Sequence, residues 1–299
     1  MKKQNAGRRL PDFLCIGAQR SGTTWLYENL GAHIQVWLPP IKEIHYFNSR
    51  EKPLKRKLNV YFRHLRARIL DDLRDKRPFS QFSWDLHYFF GIRNDDWYQG
   101  LFRPAVGQIA GEITPDYAIL DLETIKHVRG LNPHMKLIYL MRDPIDRSWS
   151  SAAKDLAREK RRHLEDVPEG ELLAKLNGPG PTARSNHLQV LGNWESVFGP
   201  RQVFVGFFDD IIATPSELLG RIHQFLEIAY SPEHIPANID TKVNSAGIYK
   251  STIPPRYELL LAVQQIGQLR ALSERFGGHA TQWLKRAQSI LDSAGGKGA

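Results

Sequence analysis

Gln19-Arg20-Ser21-Gly22-Thr23-Thr24-Trp25, directly behind the apolar run Phe13-Leu14-Cys15-Ile16, decides the architecture of this chain. An apolar run, a glycine-containing turn and a helix start, in that order, present backbone N–H groups to a phosphate. Gly17 and Gly22 have the G-x-x-x-x-G spacing of a nucleotide-binding P-loop, and Thr24 holds its final Ser/Thr place. Thr23 stands where the P-loop lysine belongs, and the positive charge is instead on Arg20, two residues before Gly22. Taken alone, the stretch reads as a phosphate site that lacks its expected lysine.

Working outward, further apolar runs at 35–38, 108–113, 136–141 and 202–208 join 13–16 as strand candidates. Helical patterns lie between them. One covers 24–30 and stops at Gly31; another follows Thr214, with Pro215 at the first helical position and Glu217 completing a capping box. A long final helix is expected within 255–276. Strands alternating with helices predict an α/β fold: a P-loop-like parallel β-sheet flanked by helices on both faces, in one domain. The expected division is a flexible basic N-terminus at 1–11, a domain at 12–280 and a C-terminal tail at 281–299. Two segments interrupt the domain, at about 48–100 and 157–184. Within the first, 54–73 carries an apolar stripe at helical spacing, with Lys55, Arg56, Lys57, Arg63, Arg66, Arg68 and His64 on the remaining surface. The second is rich in charge and then in Gly and Pro, as expected of a mobile excursion or lid.

The 299 residues suffice for one substantial α/β core. With 41 Lys and Arg against 32 Asp and Glu, the formal net charge is +9. That balance suits anionic partners, although a solvated basic surface is the plainer reading of charge alone. Cys15 is the single cysteine, so no intrachain disulfide forms, and its place in an apolar run marks it as a small core residue. No apolar segment resembles a signal peptide or a spanning helix, so a cytoplasmic location is expected.

A second anion-binding element reads Leu137-Ile138-Tyr139-Leu140-Met141-Arg142-Asp143-Pro144. A buried strand ends in an arginine, and a helix follows with Asp143 as cap and Pro144 at its first position. Arg142 thereby stands at the carboxyl end of a parallel strand, where open α/β sheets bind ligands, and its guanidinium can grip a phosphate bidentately. Ser150 lies about two turns into that helix, where it can converge with Arg142 on one phosphate. Each residue also has an ordinary structural reading, as a salt-bridging arginine and a helix-bonded serine.

Together the two elements resemble those of sulfotransferases that use 3′-phosphoadenosine 5′-phosphosulfate (PAPS). Gln19 to Trp25 is similar to that family's 5′-phosphosulfate loop, with Arg20 where lysine is usual. Arg142-Asp-Pro-x-Asp-Arg-Ser-x-Ser150 is similar to its 3′-phosphate element. Pro39-Pro40-Ile41-Lys42-Glu43-Ile44-His45-Tyr46-Phe47 resembles a segment of the heparan-sulfate-type carbohydrate sulfotransferases, especially the 3-O branch. Trp97-Tyr98, Gly111-Glu112-x-Thr114-Pro115-x-Tyr117 and Leu191-x-x-Trp194-x-x-x-Phe198 fall in the order that this branch has them. The resemblance covers residues 12 to about 230 and fits a soluble bacterial-type member.

The resemblance implies PAPS as co-substrate and 3′-phosphoadenosine 5′-phosphate as product. It implies a carbohydrate or small-molecule acceptor, with neither metal nor nucleic acid involved. It places Arg20, Ser21, Gly22, Thr23, Thr24, Trp25, Arg142 and Ser150 around the nucleotide. Residues 244–250 echo a late cofactor loop and add Lys250. Glu43 matches the family's catalytic glutamate, Lys42 is positioned to stabilise charge, and His45 is the rival base. Ile113 occupies a place where the heparan-type branch commonly has a substrate-contacting lysine, which weakens the case for a glycosaminoglycan acceptor. Two other readings stand beside this one. A P-loop kinase or ATPase needs the lysine that Thr23 replaces, and a non-catalytic binder of anionic polymers would use the basic 54–73 face.

Overall fold

The structure is a computed structural model and describes residues 9–49, 61–62, 64–66, 79–160, 167–229, 236, 239 and 252–295. Among them, five parallel strands form one sheet: β1 (Phe13–Gly17), β2 (Val36–Trp37), β3 (Ile109–Ile113), β4 (Lys136–Met141) and β5 (Val203–Phe207), in the order β2-β3-β1-β4-β5. The helices used below are α1 (Thr23–Gly31), α2 (Phe79–Phe90), α3 (Asp95–Gly100), α4 (Leu122–Leu131), α5 (Pro144–Lys160), α6 (Glu169–Asn177), α7 (Pro179–Ser185), α8 (His187–Phe198), α9 (Phe208–Ala213), α10 (Pro215–Leu226), α11 (Pro255–Phe276) and α12 (Gly278–Gly295).

The period-2 geometry of the strands divides the core into two layers. Phe13 and Cys15 of β1, with Ile138 and Leu140 of β4, face Trp25, Leu26 and Leu30 of α1 and Leu218, Leu219 and Ile222 of α10. Leu14 and Ile16, with Leu137, Tyr139 and Met141, face the opposite layer, which includes Trp149 of α5, Trp194 of α8, Leu269 of α11 and Trp283 of α12. Both faces are therefore covered, as the alternation of strands and helices predicts. Cys15 is fully buried, and burial pushes its thiol up to about 12, in keeping with a core residue.

Four local expectations change. Residues 281–295 are not a tail: α12 continues from a turn at Gly277 (φ 62°) and buries Ala280, Trp283 and Ala287. Thr214 does not cap α10 through its side chain; its ψ of 57° lies far from the extended value that aims a capping hydroxyl at the first turn, its N–H closes α9 on the Asp210 carbonyl at 2.8 Å, and Pro215 opens α10. His64 is not on an exposed basic face, being buried with Nδ1 2.6 Å from the Tyr88 hydroxyl. Most of the 54–73 stripe lies outside the described residues. The described parts of 157–184 are helical rather than loop, with the Gly/Pro stretch serving as the break between α6 and α7.

Strand order reverses direction between β1 and β4, so their carboxyl ends flank the topological switch point. The loop after β1 and Arg142 after β4 meet there.

Candidate active site

The loop after β1 is shaped by two left-handed residues, Arg20 (φ 74°) and Gly22 (φ 88°). Glycine is required at 22: a Cβ there would lie 2.2 Å from Ile211 Cδ1, in a conformation that side chains disfavour. The first intrahelical bond of α1 runs from Leu26 N to Gly22 O at 3.0 Å. The N–H groups of Thr23, Thr24 and Trp25 thus have no acceptor within the helix, the ordinary condition of a helix N-terminus. Ser21 is fully buried, and its Oγ has no hydrogen-bond partner among the described residues. A buried hydroxyl without a partner beside three outward N–H groups fits an anion with several acceptor oxygens.

Among the described residues, four basic side chains gather around this cradle. Arg20 Nε donates to Ser150 Oγ at 2.9 Å, and Arg142 Nη1 donates to the Arg20 carbonyl at 3.2 Å, so Arg20, Arg142 and Ser150 form one cluster. Lys42 Nζ approaches from the other side, 3.3 Å from Thr24 Oγ1 and 3.5 Å from Thr23 Oγ1. A lysine from another segment therefore reaches the place left by the absent P-loop lysine. Lys154, one turn beyond Ser150 on α5, adds a further positive charge. Although the residue is exposed, the protein around its ammonium and then the charge of Arg20 hold it below the ordinary lysine range.

Lys42 also ties the cradle to a carboxylate, because its Nζ lies 3.2 Å from Glu43 Oε1. Glu43 (φ 66°) and His45 (φ 58°) are both left-handed, so this segment is bent twice in three residues. Buried Ile41, Ile44 and Tyr46 anchor it, and Tyr46 N donates to the Tyr117 hydroxyl at 2.9 Å. Tyr117 in turn donates to fully buried Glu112, as do Tyr98 and Thr114. Burial raises the Glu112 carboxyl above the usual carboxylate range, and the three hydroxyls partly offset that.

From Glu43 a polar chain runs inward. His45 Nε2 is 3.4 Å from Glu43 Oε2, Asn48 Nδ2 is 3.2 Å from His45 Nδ1, and Asn48 Nδ2 donates to Asp116 Oδ2 at 2.8 Å. Arg184 closes the chain on Asp116 Oδ1 at 2.6 Å. Asp116 is an acceptor, so it fixes which way the Asn48 amide points, and the remaining amide hydrogen faces His45 Nδ1. With Asn48 donating to Nδ1, Nε2 is left to donate toward Glu43.

The Arg142 corner is braced from behind. The Arg142 guanidinium stacks on the Phe208 ring, 4.5 Å from its centroid. Asp143 Oδ1 caps α5 by accepting from Ile145 N at 2.9 Å. His187 is fully buried, with Nε2 2.8 Å from the Arg142 carbonyl and Nδ1 2.7 Å from the Tyr139 hydroxyl. Burial lowers its pKa to about 4, so the ring is neutral, donating to the carbonyl and accepting from Tyr139. The unfolded chain takes up this proton near pH 6.5 and the folded chain only near 4. Stability from this group is therefore complete above about pH 6.5 and falls as pH drops toward 4, by about 3 kcal/mol in all. We expect His187→Gln, which keeps a donor for the carbonyl, to show a flatter loss of stability than wild type in urea unfolding between pH 7 and 4.5. Parallel acid limbs would refute this.

Ser21, Gly22, Thr23, Thr24, Arg20, Lys42, Glu43, His45, Arg142 and Ser150 thus share one face of the fold. The Trp25 indole does not: it is buried in the α1 layer and donates to the Ile239 carbonyl at 3.0 Å, so only its backbone N–H faces the cradle. Lys250 and residues 244–250 lie outside the described residues. Asn48, Asp116, Lys154 and Arg184 are additions; the one sequence signal for any of them was the position of Asp116 within Gly111-Glu112-x-Thr114-Pro115-x-Tyr117. Asp143, which a kinase or ATPase would turn toward a magnesium ion, is buried and committed to the α5 cap and to Arg286.

Comparison with known proteins bears on the family and the fold. The family model described as "Sulfotransferase family" matches residues 11–232. Mouse heparan sulfate glucosamine 3-O-sulfotransferase 6 is 31% identical over 138 residues, covering 44% of this chain and 39% of that protein. Mouse carbohydrate sulfotransferase 15 is 24% identical over 269 residues, covering 74% of this chain and 44% of that protein. The chain thus spans less than half the length of these curated relatives. Among solved structures, a sulfotransferase from Alicyclobacillus acidocaldarius superposes with a TM-score of 0.64 at 21% identity, over 92% of this chain and 98% of that one. The sulfotransferase domain of the Synechococcus PCC 7002 olefin synthase gives 0.54 at 18% identity, over 88% and 97%. These two likenesses establish the fold, and the match over residues 11–232 establishes more: the chain belongs to the sulfotransferase family.

Proposed function

We propose that the protein transfers a sulfuryl group from PAPS to an acceptor hydroxyl, on a carbohydrate or a small molecule, with Glu43 as general base. The observation that carries this reading is Lys42, which touches Thr23 and Thr24 of the phosphate cradle and Glu43 at once. A cation in that place can neutralise charge on the transferring group while a carboxylate beside it takes the acceptor proton. PAPS supplies the activated sulfuryl group; positioning and charge stabilisation are left to the protein.

The residues divide the work by place. Outward N–H groups of the α1 terminus, Ser21 Oγ, Arg20 and Lys42 suit the 5′-phosphosulfate end, and Arg142 with Ser150 suits the 3′-phosphate. Glu43 is better suited than His45 to accept the proton. His45 Nδ1 already accepts from Asn48, and its Nε2–H is directed at the carboxylate, so the imidazole holds Glu43 in place. The acceptor class rests on family likeness; among the described residues no helix is long and apolar enough to cross a membrane.

Titration calorimetry tests the donor assignment. 3′-Phosphoadenosine 5′-phosphate is expected to bind at least about tenfold more tightly than ADP, the scale of one charge-assisted contact. Radiolabelled PAPS should then yield labelled product with a hydroxylated acceptor. Equal binding of the two nucleotides, or magnesium-dependent ATP hydrolysis, would overturn the assignment.

A further inference from the structure

We propose that Arg286, on the C-terminal helix α12, is a positioning residue for the 3′-phosphate corner, holding Asp143 and Asp146 away from Arg142 so that its guanidinium stays open to an anion. The inference rests on the PAPS reading above and extends it beyond residues 11–232, the span matched by the family model.

Arg286 Nη1 donates to Asp143 Oδ2 at 2.9 Å and to Asp146 Oδ1 at 2.8 Å, while Nη2 donates to Glu258 Oε1 of α11 at 2.6 Å. The other oxygen of Asp146 stands 4.0 Å from Arg142 Nη2, at the i, i+4 spacing that favours an ion pair along one helix. Asp146 is thus shared, and Arg286 makes the closer contact. Asp209, at the start of α9, is a further acidic neighbour that acts on Arg142, and it accepts from Trp283 Nε1 at 3.1 Å.

Removing Arg286 would leave Asp143, Asp146 and Asp209 acting on Arg142 without the cation that now shares two of them. Asp146 would then be free to close on Arg142, and the corner would present excess negative charge to a phosphate. The direction of the Asp143 shift agrees: burial and the Asp146 charge push its carboxyl up to about 6, and Arg286 pulls against them. The helix that carries Arg286 is well fixed. Ala280, Trp283 and Ala287 are buried, and the Ser273 and Thr281 hydroxyls bond at 2.9 Å across the turn between α11 and α12.

The test compares 3′-phosphoadenosine 5′-phosphate with adenosine 5′-monophosphate, which lacks only the 3′-phosphate. Calorimetric affinities are measured for wild type, Arg286→Gln, Asp146→Asn and the double variant. Arg286→Gln is expected to weaken the bisphosphate about 10- to 30-fold, the scale of one charge-assisted hydrogen bond, and the monophosphate by less than about twofold. The double variant should recover most of that loss, because the competing carboxylate is gone. A merely structural Arg286 would weaken both nucleotides alike or show no recovery, and either result overturns the proposal. Should Arg286→Gln fail to fold, Arg286→Lys serves: a single ammonium cannot reproduce the fork, so a smaller loss confined to the bisphosphate is expected, and a loss shared by both nucleotides counts against it. If wild type itself does not prefer the bisphosphate, the PAPS reading has failed first, and the wild-type measurement alone reveals that.

Discussion

Glu43→Gln is expected to lower kcat about 10³-fold, within the range that a positioned general base contributes. The substitution keeps the shape of the side chain and an oxygen that can accept from Lys42, which now lies 3.2 Å from Oε1. It removes the basicity that takes up the acceptor proton. Affinity for 3′-phosphoadenosine 5′-phosphate should change by less than about threefold, because Glu43 contributes no positive charge or donor to the cradle. His45→Gln is expected to be milder, since the imidazole holds the carboxylate rather than replacing it. Rapid-quench transfer assays with calorimetry on the same samples separate the two effects. Near-wild-type turnover in Glu43→Gln, with His45→Gln inactive, would move the base to His45.

Arg142→Ala is expected to have the opposite profile, weakening 3′-phosphoadenosine 5′-phosphate about 100-fold through loss of a charge-assisted, fork-shaped contact. Its guanidinium donates to the Arg20 carbonyl at 3.2 Å, so truncation also loosens the loop that holds Arg20. The loss should fall mainly on KM for the donor, with kcat at saturation reduced far less. Adenosine 5′-monophosphate should be affected only through that loop, by about a fewfold at most. Equal loss for both nucleotides would mean that Arg142 supports the loop without meeting a phosphate.

The fold was legible because its signals are local. Unbroken apolar runs at 13–16 and 136–141 marked strands buried on both faces, and Gly22 marked a turn that only glycine can make. Pro144 and Pro255 stand at helix starts where proline is at ease. Glu43, Lys42, Arg20, Arg142 and Ser150 each sit in a short motif, and the structure brings them to one face. The chain from His45 through Asn48 and Asp116 to Arg184 had no such signature, for it joins segments 68 residues apart at each end of Asp116. Arg286 meets Asp146 across 140 residues. The helix that carries it leaves only a faint apolar stripe in the sequence, because its inward set, Ala280, Trp283 and Ala287, is mostly small.

Arg20, Glu43 and His45 are three of the four non-glycine residues with positive φ among those described, and each such conformation costs about 1–3 kcal/mol. Left to local preference, this backbone would relax. It is kept bent by its surroundings: Ile41 and Ile44 below, the Tyr46 amide on Tyr117, and Tyr117 on Glu112. The strands are paired through their own backbones, whereas the bend relies on that clasp. Warming or mild denaturant should therefore abolish the proposed transfer while the strands are still paired, so that its working lifetime is set by a few hydroxyls packed against the Lys42–Glu43 segment and not by the melting of the whole domain.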